Sequence, residues 1–190
     1  MKVFKSEKGR NEVLESYDRL LSAWEIDFKQ ADVATQYGTT HVIQAGEKQN
    51  PALLLFHGVG DNSALMWIYN AAELSKRFWI TAVDAMGGAG KSVPGPGYGR
   101  GFDQTIWLTE LMDGLGIETA DAVGVSYGCY LAQLAAITMP GRIRRIVGIS
   151  GSVSVEGARS NGIRMIKAFL PEALFPTERN TRKLLAKLTG

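Results

Sequence analysis

Cysteine is almost missing from this chain: Cys129 stands alone among 190 residues. One thiol forms no internal disulfide and builds no thiolate metal site, so the expectation is a cytoplasmic protein with no metal and no cofactor. Histidine is nearly as scarce, with only His41 and His57, which narrows the candidates for proton transfer near neutral pH. No apolar run approaches the 18 or so residues of a membrane-spanning helix, and the charged residues 1–8 lead into no apolar leader. Charge of one sign is lacking too. The 21 Lys and Arg against 19 Asp and Glu leave a formal +2 with no long run of like charge. Neither a nucleic-acid groove nor a membrane patch is expected. With 45% apolar residues and no repeat or low-complexity tract, a single packed domain is within reach.

What the chain does have is a short apolar run at residues 121–125 that ends in Gly124-Val125-Ser126-Tyr127-Gly128 and passes straight into a helical pattern. A strand, a sharp turn and a helix are the setting of a nucleophile elbow, in which a strained turn pushes a serine hydroxyl out above the sheet. Glycines at 124 and 128 remove the side chains that would collide with neighbouring elements at such a turn. Glycines and a serine also end ordinary strands, so the motif gains weight only from partners elsewhere.

Those partners lie upstream. Val13, Leu14, Tyr17, Leu20, Leu21 and Trp24 recur at helical spacing, which predicts an amphipathic N-terminal helix bracing the main domain. Residues 29–38 read as a polar connection and residues 39–46 as an early strand. His41, inside that strand with no acid near it in sequence, reads as structural or exposed. Residues 51–56 are continuously apolar, the pattern of a strand buried on both faces, and His57-Gly58-Val59-Gly60 follows at once. Asp61, Asn62 and Ser63 offer caps for a helix carrying Leu65, Met66, Tyr69, Ala72 and Leu74. Residues 78–83 form the next buried strand. Trp107, Leu108, Leu111, Met112 and Leu115 share a helix face that stops at Gly116; the helix after the elbow runs to Thr138; and Ile143–Ile149 is a further apolar strand. Cys129, one turn into the elbow helix, reads as a small packing residue. Strands and helices in this alternation predict an α/β protein with a doubly wound, mostly parallel sheet.

The glycine-rich stretch after residue 83, Asp84-Ala85-Met86-Gly87-Gly88-Ala89-Gly90-Lys91-Ser92, invites a phosphate-loop reading. A Walker A loop needs glycine at 85, where alanine stands, and needs Lys91 and Ser92 to open a helix, whereas Pro94 and Pro96 follow. Nucleotide binding is not expected. Beyond Ser150 a small, polar segment precedes two short amphipathic patterns, one with Ile166, Phe169 and Leu170, the other with Leu184, Leu185 and Leu188. The basic residues among them read as a solvated face.

Taken together, His57-Gly58-x-Gly60, the Asp84 to Ser92 glycine stretch and Gly124-x-Ser126-x-Gly128, in this order and separation, resemble the α/β-hydrolase superfamily over about residues 39–150. The leading helix is similar to that of a bacterial carboxylesterase-like subgroup. The resemblance implies Ser126 as nucleophile and the backbone N–H groups of Val59 and Tyr127 as oxyanion hole, with His57, Gly58, Gly60, Gly124 and Gly128 in support. It implies that Asp84 is a structural aspartate and that His57 orders its loop rather than acting as base, since the family's histidine follows the nucleophile. Serine rather than aspartate at 126 speaks against a haloalkane dehalogenase, and Cys129 stands where a glycine is commoner. It implies three regions: an N-terminal helix and connection (1–38), the hydrolase core (39–150) and the start of a helical lid (151–190). The pattern then stops. The family's acid and histidine follow later strands, so the expected fold is truncated after the strand that is sixth in the family's count. Glu156 is the one nearby acid, in a segment that gives it no fixed place. Two readings of function follow: a serine esterase taking a small-molecule ester or acyl substrate, or a non-catalytic remnant of the fold serving as a binding or assembly unit. Because Ile143–Ile149 would be an uncovered sheet edge, self-association is expected.

Overall fold

The computed structural model describes residues 3–151 and 162–189. Its elements run α1 (Glu7–Ser22), β1 (Phe28–Thr35), β2 (Gly38–Ala45), β3 (Ala52–Phe56), α2 (Ser63–Met66), α3 (Ala71–Ser75), β4 (Trp79–Val83), β5 (Val93–Pro94), α4 (Gln104–Gly114), β6 (Ala120–Val125), α5 (Tyr127–Thr138), β7 (Ile143–Ile149), α6 (Gly162–Leu174) and α7 (Glu178–Thr189). The chain divides into two compact units, Met1–Ser152 and Val153–Gly190. In the second, α6 and α7 are two short helices, with Pro171 inside α6.

The first unit is built on one seven-stranded mixed sheet in the order β1-β2-β4-β3-β6-β7, with β5 paired to β2. β3 lies parallel to both β4 and β6, and β6 lies parallel to β7, whereas β2 runs antiparallel to β1 and β4. The continuous apolar run of β3 is explained by burial of all five of its residues. Side chains alternate across a strand, so Leu53 and Leu55 join Tyr17, Leu21, Trp24 and Ile80 on one face. Leu54 and Phe56 join Trp107, Leu111 and Leu131 on the other. Helices thus cover both faces, as a parallel centre requires.

Three local readings need correction. Residues 29–38 are not a connection: most of them form β1, which pairs residue by residue with β2 from Phe28↔Ala45 to Thr35↔Gly38. Of β1 only Val33 is fully buried, because an edge strand with one solvated face needs few apolar residues and so leaves little pattern. The expected helix at 65–74 is two short ones. The buried residues there are Ala64, Trp67 and Ala71, while Leu65 and Tyr69 face solvent. Of the expected face Met66 and Leu74 still pack against the core, so the reading fails at Leu65 and Tyr69, whose place Trp67 and Ala71 take. Third, the helix of residues 104–114 is reached through the small strand β5, which the prolines at 94 and 96 had concealed. At the far edge β7 pairs only with β6 among the described residues, and everything after Ile143 in it is exposed.

Candidate active site

Ser126 joins the end of β6 to the first residue of α5 with φ 53° and ψ −112°, a conformation that costs an L-residue of order 1–3 kcal/mol. The neighbouring glycines let the turn close. A Cβ on Gly124 would overlap the Gly128 carbonyl, and one on Gly128 would overlap the Phe56 carbonyl at the end of β3. The turn is tied to the next strand by Ser126 N–H donating to Ile149 O at 2.9 Å. Ser126 itself is exposed, makes no side-chain capping bond, and stands at the positive end of the α5 dipole. The N–H of Tyr127 belongs to the first turn of α5, whose donors have no acceptor within the helix.

The loop after β3 comes against this turn: a Cβ placed on Gly58 would stand 3.5 Å from that of Ser126. Gly60 takes φ +81°, which favours glycine, and the Asp61 N–H reaches back to Gly58 O at 3.4 Å. Val59 between them is 81% exposed, so its place in the loop concerns the backbone and not the side chain. His57 is buried with both ring nitrogens committed to backbone. Nε2 accepts the Ala85 N–H at 2.9 Å, which puts the proton on Nδ1, where it is donated to Gly58 O at 2.8 Å. It therefore joins the 57–60 loop to the 85–89 loop, and in this arrangement it has no nitrogen left for Ser126.

Asp84, fully buried at the end of β4, ties the far end of the second loop to the start of α2. Oδ1 accepts the Ser63 N–H at 2.9 Å and Oδ2 accepts the Lys91 N–H at 2.8 Å. A Cβ on Gly90 would strike that carboxylate. Lys91 opens no helix; its ammonium donates to Asp18 Oδ1 at 2.5 Å and to Gln30 Oε1 at 2.8 Å, locking α1 and β1 to the loop. Between the two loops lies a cleft of about 500 Å³, bounded by residues 57–60 and 85–89, by Tyr98 and Tyr127, and by Val3, Phe4 and Val13 from the N-terminal segment.

That His41 has an acid partner is invisible in the linear chain. It is buried, with Nδ1 at 2.7 Å from Asp32 Oδ1 and Nε2 at 3.1 Å from Gln30 Oε1. The pairing of Asp32 with His41 across the β1–β2 hairpin makes this contact, and a strand read as a connection hides it. Among the described residues no side chain bonds the Ser126 hydroxyl, and Glu156 lies outside them. Cys129 is buried against Gly148 and Gly151, where any added Cβ would overlap it, and its sulfur accepts from Gln133 Nε2 at 3.3 Å. Asp61, a cap candidate in the sequence, does not cap α2, whose N-cap is Asn62; it lies beside the cleft loop, where burial raises its carboxyl above the usual range while His57 pulls the other way. Burial likewise raises the Tyr127 phenol.

Comparison with known proteins agrees with this geometry. The family model for the alpha/beta hydrolase fold matches residues 51–176. Carboxylesterase YbfK of Bacillus subtilis is 38% identical over 136 residues, 72% of this chain and 46% of the relative. The crystal structure of naproxen esterase (carboxylesterase NP) from Bacillus subtilis superposes with a TM-score of 0.83 at 28% identity, covering 96% of this chain and 61% of that one. Protein NDRG4-A of Xenopus laevis is 31% identical over 153 residues, 75% of this chain and 39% of the relative. The chain spans about half the length, or less, of the curated relatives it matches. A mostly parallel sheet, a strained serine between β6 and α5, and a matching family model over more than half its length place this chain in the α/β-hydrolase family, with carboxylesterase-like relatives.

Proposed function

We propose that this chain carries the nucleophile and oxyanion hole of a serine hydrolase acting on carboxylic esters. The observation that carries the reading is the strained Ser126 turn set against the 57–60 loop. Ser126 Oγ attacks the ester carbonyl carbon and gives its proton to a general base. The N–H groups of Val59 and Tyr127 receive the negative charge that develops on the carbonyl oxygen. Collapse expels the alcohol, which takes that proton, and water then attacks the acyl-Ser126 ester to release the acid. The base is neither His41 nor His57, since their ring nitrogens are committed elsewhere.

An oxyanion hole and cleft without the rest of a triad retain roughly a 10³–10⁴-fold advantage over water. The 190-residue chain should show trace hydrolysis of an activated aryl ester and slow labelling of Ser126 by a fluorophosphonate. Joining it to the C-terminal half of a carboxylesterase relative should raise both, and Ser126→Ala should abolish the gain. Ordinary turnover by the chain alone, removed by His57→Ala with the fold intact, would make His57 the base and overturn this assignment. The alternative of a non-catalytic binding or assembly unit draws on the Ser126 hydroxyl's having no bonded side chain among the described residues. It would gain if the joined protein neither hydrolysed esters nor took up the label.

A further inference from the structure

We propose that the N-terminal segment, Val3 and Phe4 together with Val13 of α1, is the specificity wall of the cleft. It selects esters whose group beside the oxyanion loop is uncharged and bulky, an aryl or medium-length alkyl, over short or anionic ones. The proposal rests on the reading of Ser126 as nucleophile. The cleft abuts that site because Val59 and Tyr127 both line it.

Two of its sides have little freedom to set specificity. The 57–60 and 85–89 loops present mostly backbone, and that backbone is pinned by His57 to Ala85 N–H and by the Tyr98 hydroxyl donating to Met86 O at 3.2 Å. Gly87 takes φ +79°, and a Cβ there would strike the Tyr98 ring. Size and polarity are left to the side chains that project from elsewhere. Among the described residues no lysine, arginine, aspartate or glutamate lines the cleft, and Lys91 is turned away to Asp18 and Gln30. An anionic group entering would lose water with no cation to meet it; an apolar group gains by burial.

The wall is also held in place. Tyr17, Leu21 and Trp24 are buried under α1, and the Trp24 indole N–H donates to Ala64 O at 2.9 Å. The Asp18–Lys91 ion pair ties the same helix to the 85–92 loop. Ser6 caps α1 through Gly9 N–H at 3.0 Å, and Phe4, two residues ahead of that cap, is half-buried at the cleft.

Two measurements on the full chain test this. Calorimetry compares the neutral alcohol 4-phenyl-2-butanol with the anion 3-phenylpropionate. Intact-mass kinetics compares labelling of Ser126 by an octyl and a methyl fluorophosphonate. The alcohol should bind about tenfold or more tighter than the anion, and Phe4→Ala should cut both the alcohol affinity and the octyl-to-methyl ratio by about tenfold. Val13→Thr should shift both in the same direction, and thermal unfolding should show each variant folded. Unchanged values in both variants, or equal binding of the anion, would overturn the wall. Phe4-dependent alcohol binding with no labelling of Ser126 would support the wall while refuting the nucleophile reading.

Discussion

Ser126, His57 and Asp61 differ in how their surroundings act on them. The serine holds an unfavourable backbone geometry because Gly124 and Gly128 admit carbonyls where side chains would stand. The imidazole is consumed by Ala85 N–H and Gly58 O. The Asp61 carboxyl is raised by burial, against the pull of His57. An acid whose folded pKa is raised stabilises the fold fully below its unfolded value, about pH 4, and loses that contribution as pH rises through the folded value. Asp61→Asn removes the titration. The variant should therefore be more stable than the parent near pH 7 and lose that advantage as the pH falls toward about 4. Urea midpoints of the two proteins across this interval check it, and parallel curves would contradict it.

At the scale of elements, α1 does more than brace. Its C-terminal end buries Tyr17 and Leu21 and leads to Trp24, which packs against Phe28 with ring centroids 6.2 Å apart. Its N-terminal end reaches the cleft. Trp24→Ala removes a fully buried indole and its bond to Ala64 O, a loss of about 3–5 kcal/mol in comparable cores. Urea unfolding measures it, and a change below about 1 kcal/mol would mean that α1 is not docked as described. The β1–β2 hairpin has a comparable double role. It extends the sheet and places Asp32 and Gln30 around His41 and Lys91, a polar knot fastening α1 to the Asp84 loop.

For the whole molecule, behaviour in solution turns on the sheet edge. β7 leaves Ile146, Val147 and Ile149 exposed at 39, 54 and 45%, and an apolar edge strand recruits further strands. We propose concentration-dependent self-association of the chain. Sedimentation velocity should show species above monomer whose share rises with loading, and Val147→Lys should lower it by placing a charge on that edge. A monomer at all concentrations would contradict this. The same edge gives the joined protein of the catalytic test a second readout, since added strands that pair with β7 should suppress the association.

The sequence alone determined whatever follows from local steric demand and from period. The apolar run of β3, the Gly-x-Ser-x-Gly turn between strand and helix, and the bounds of α5 and β7 were legible because each is written in neighbouring residues. Tertiary structure alone decided which distant groups meet. The polar β1 had too few buried residues to announce a strand, and without β1 the acid beside His41 was invisible. The face of residues 64–71 turned on Trp67 finding the core in place of Leu65 and Tyr69. That His57 spends both nitrogens on backbone depends on Ala85, 28 residues away, and that Phe4 lines the cleft depends on Trp24 and Lys91 fastening α1. A hydrogen bond or a buried side chain needs its partner at contact distance, and only the folded sheet brings residues 4, 57, 85 and 126 to the same end of the molecule.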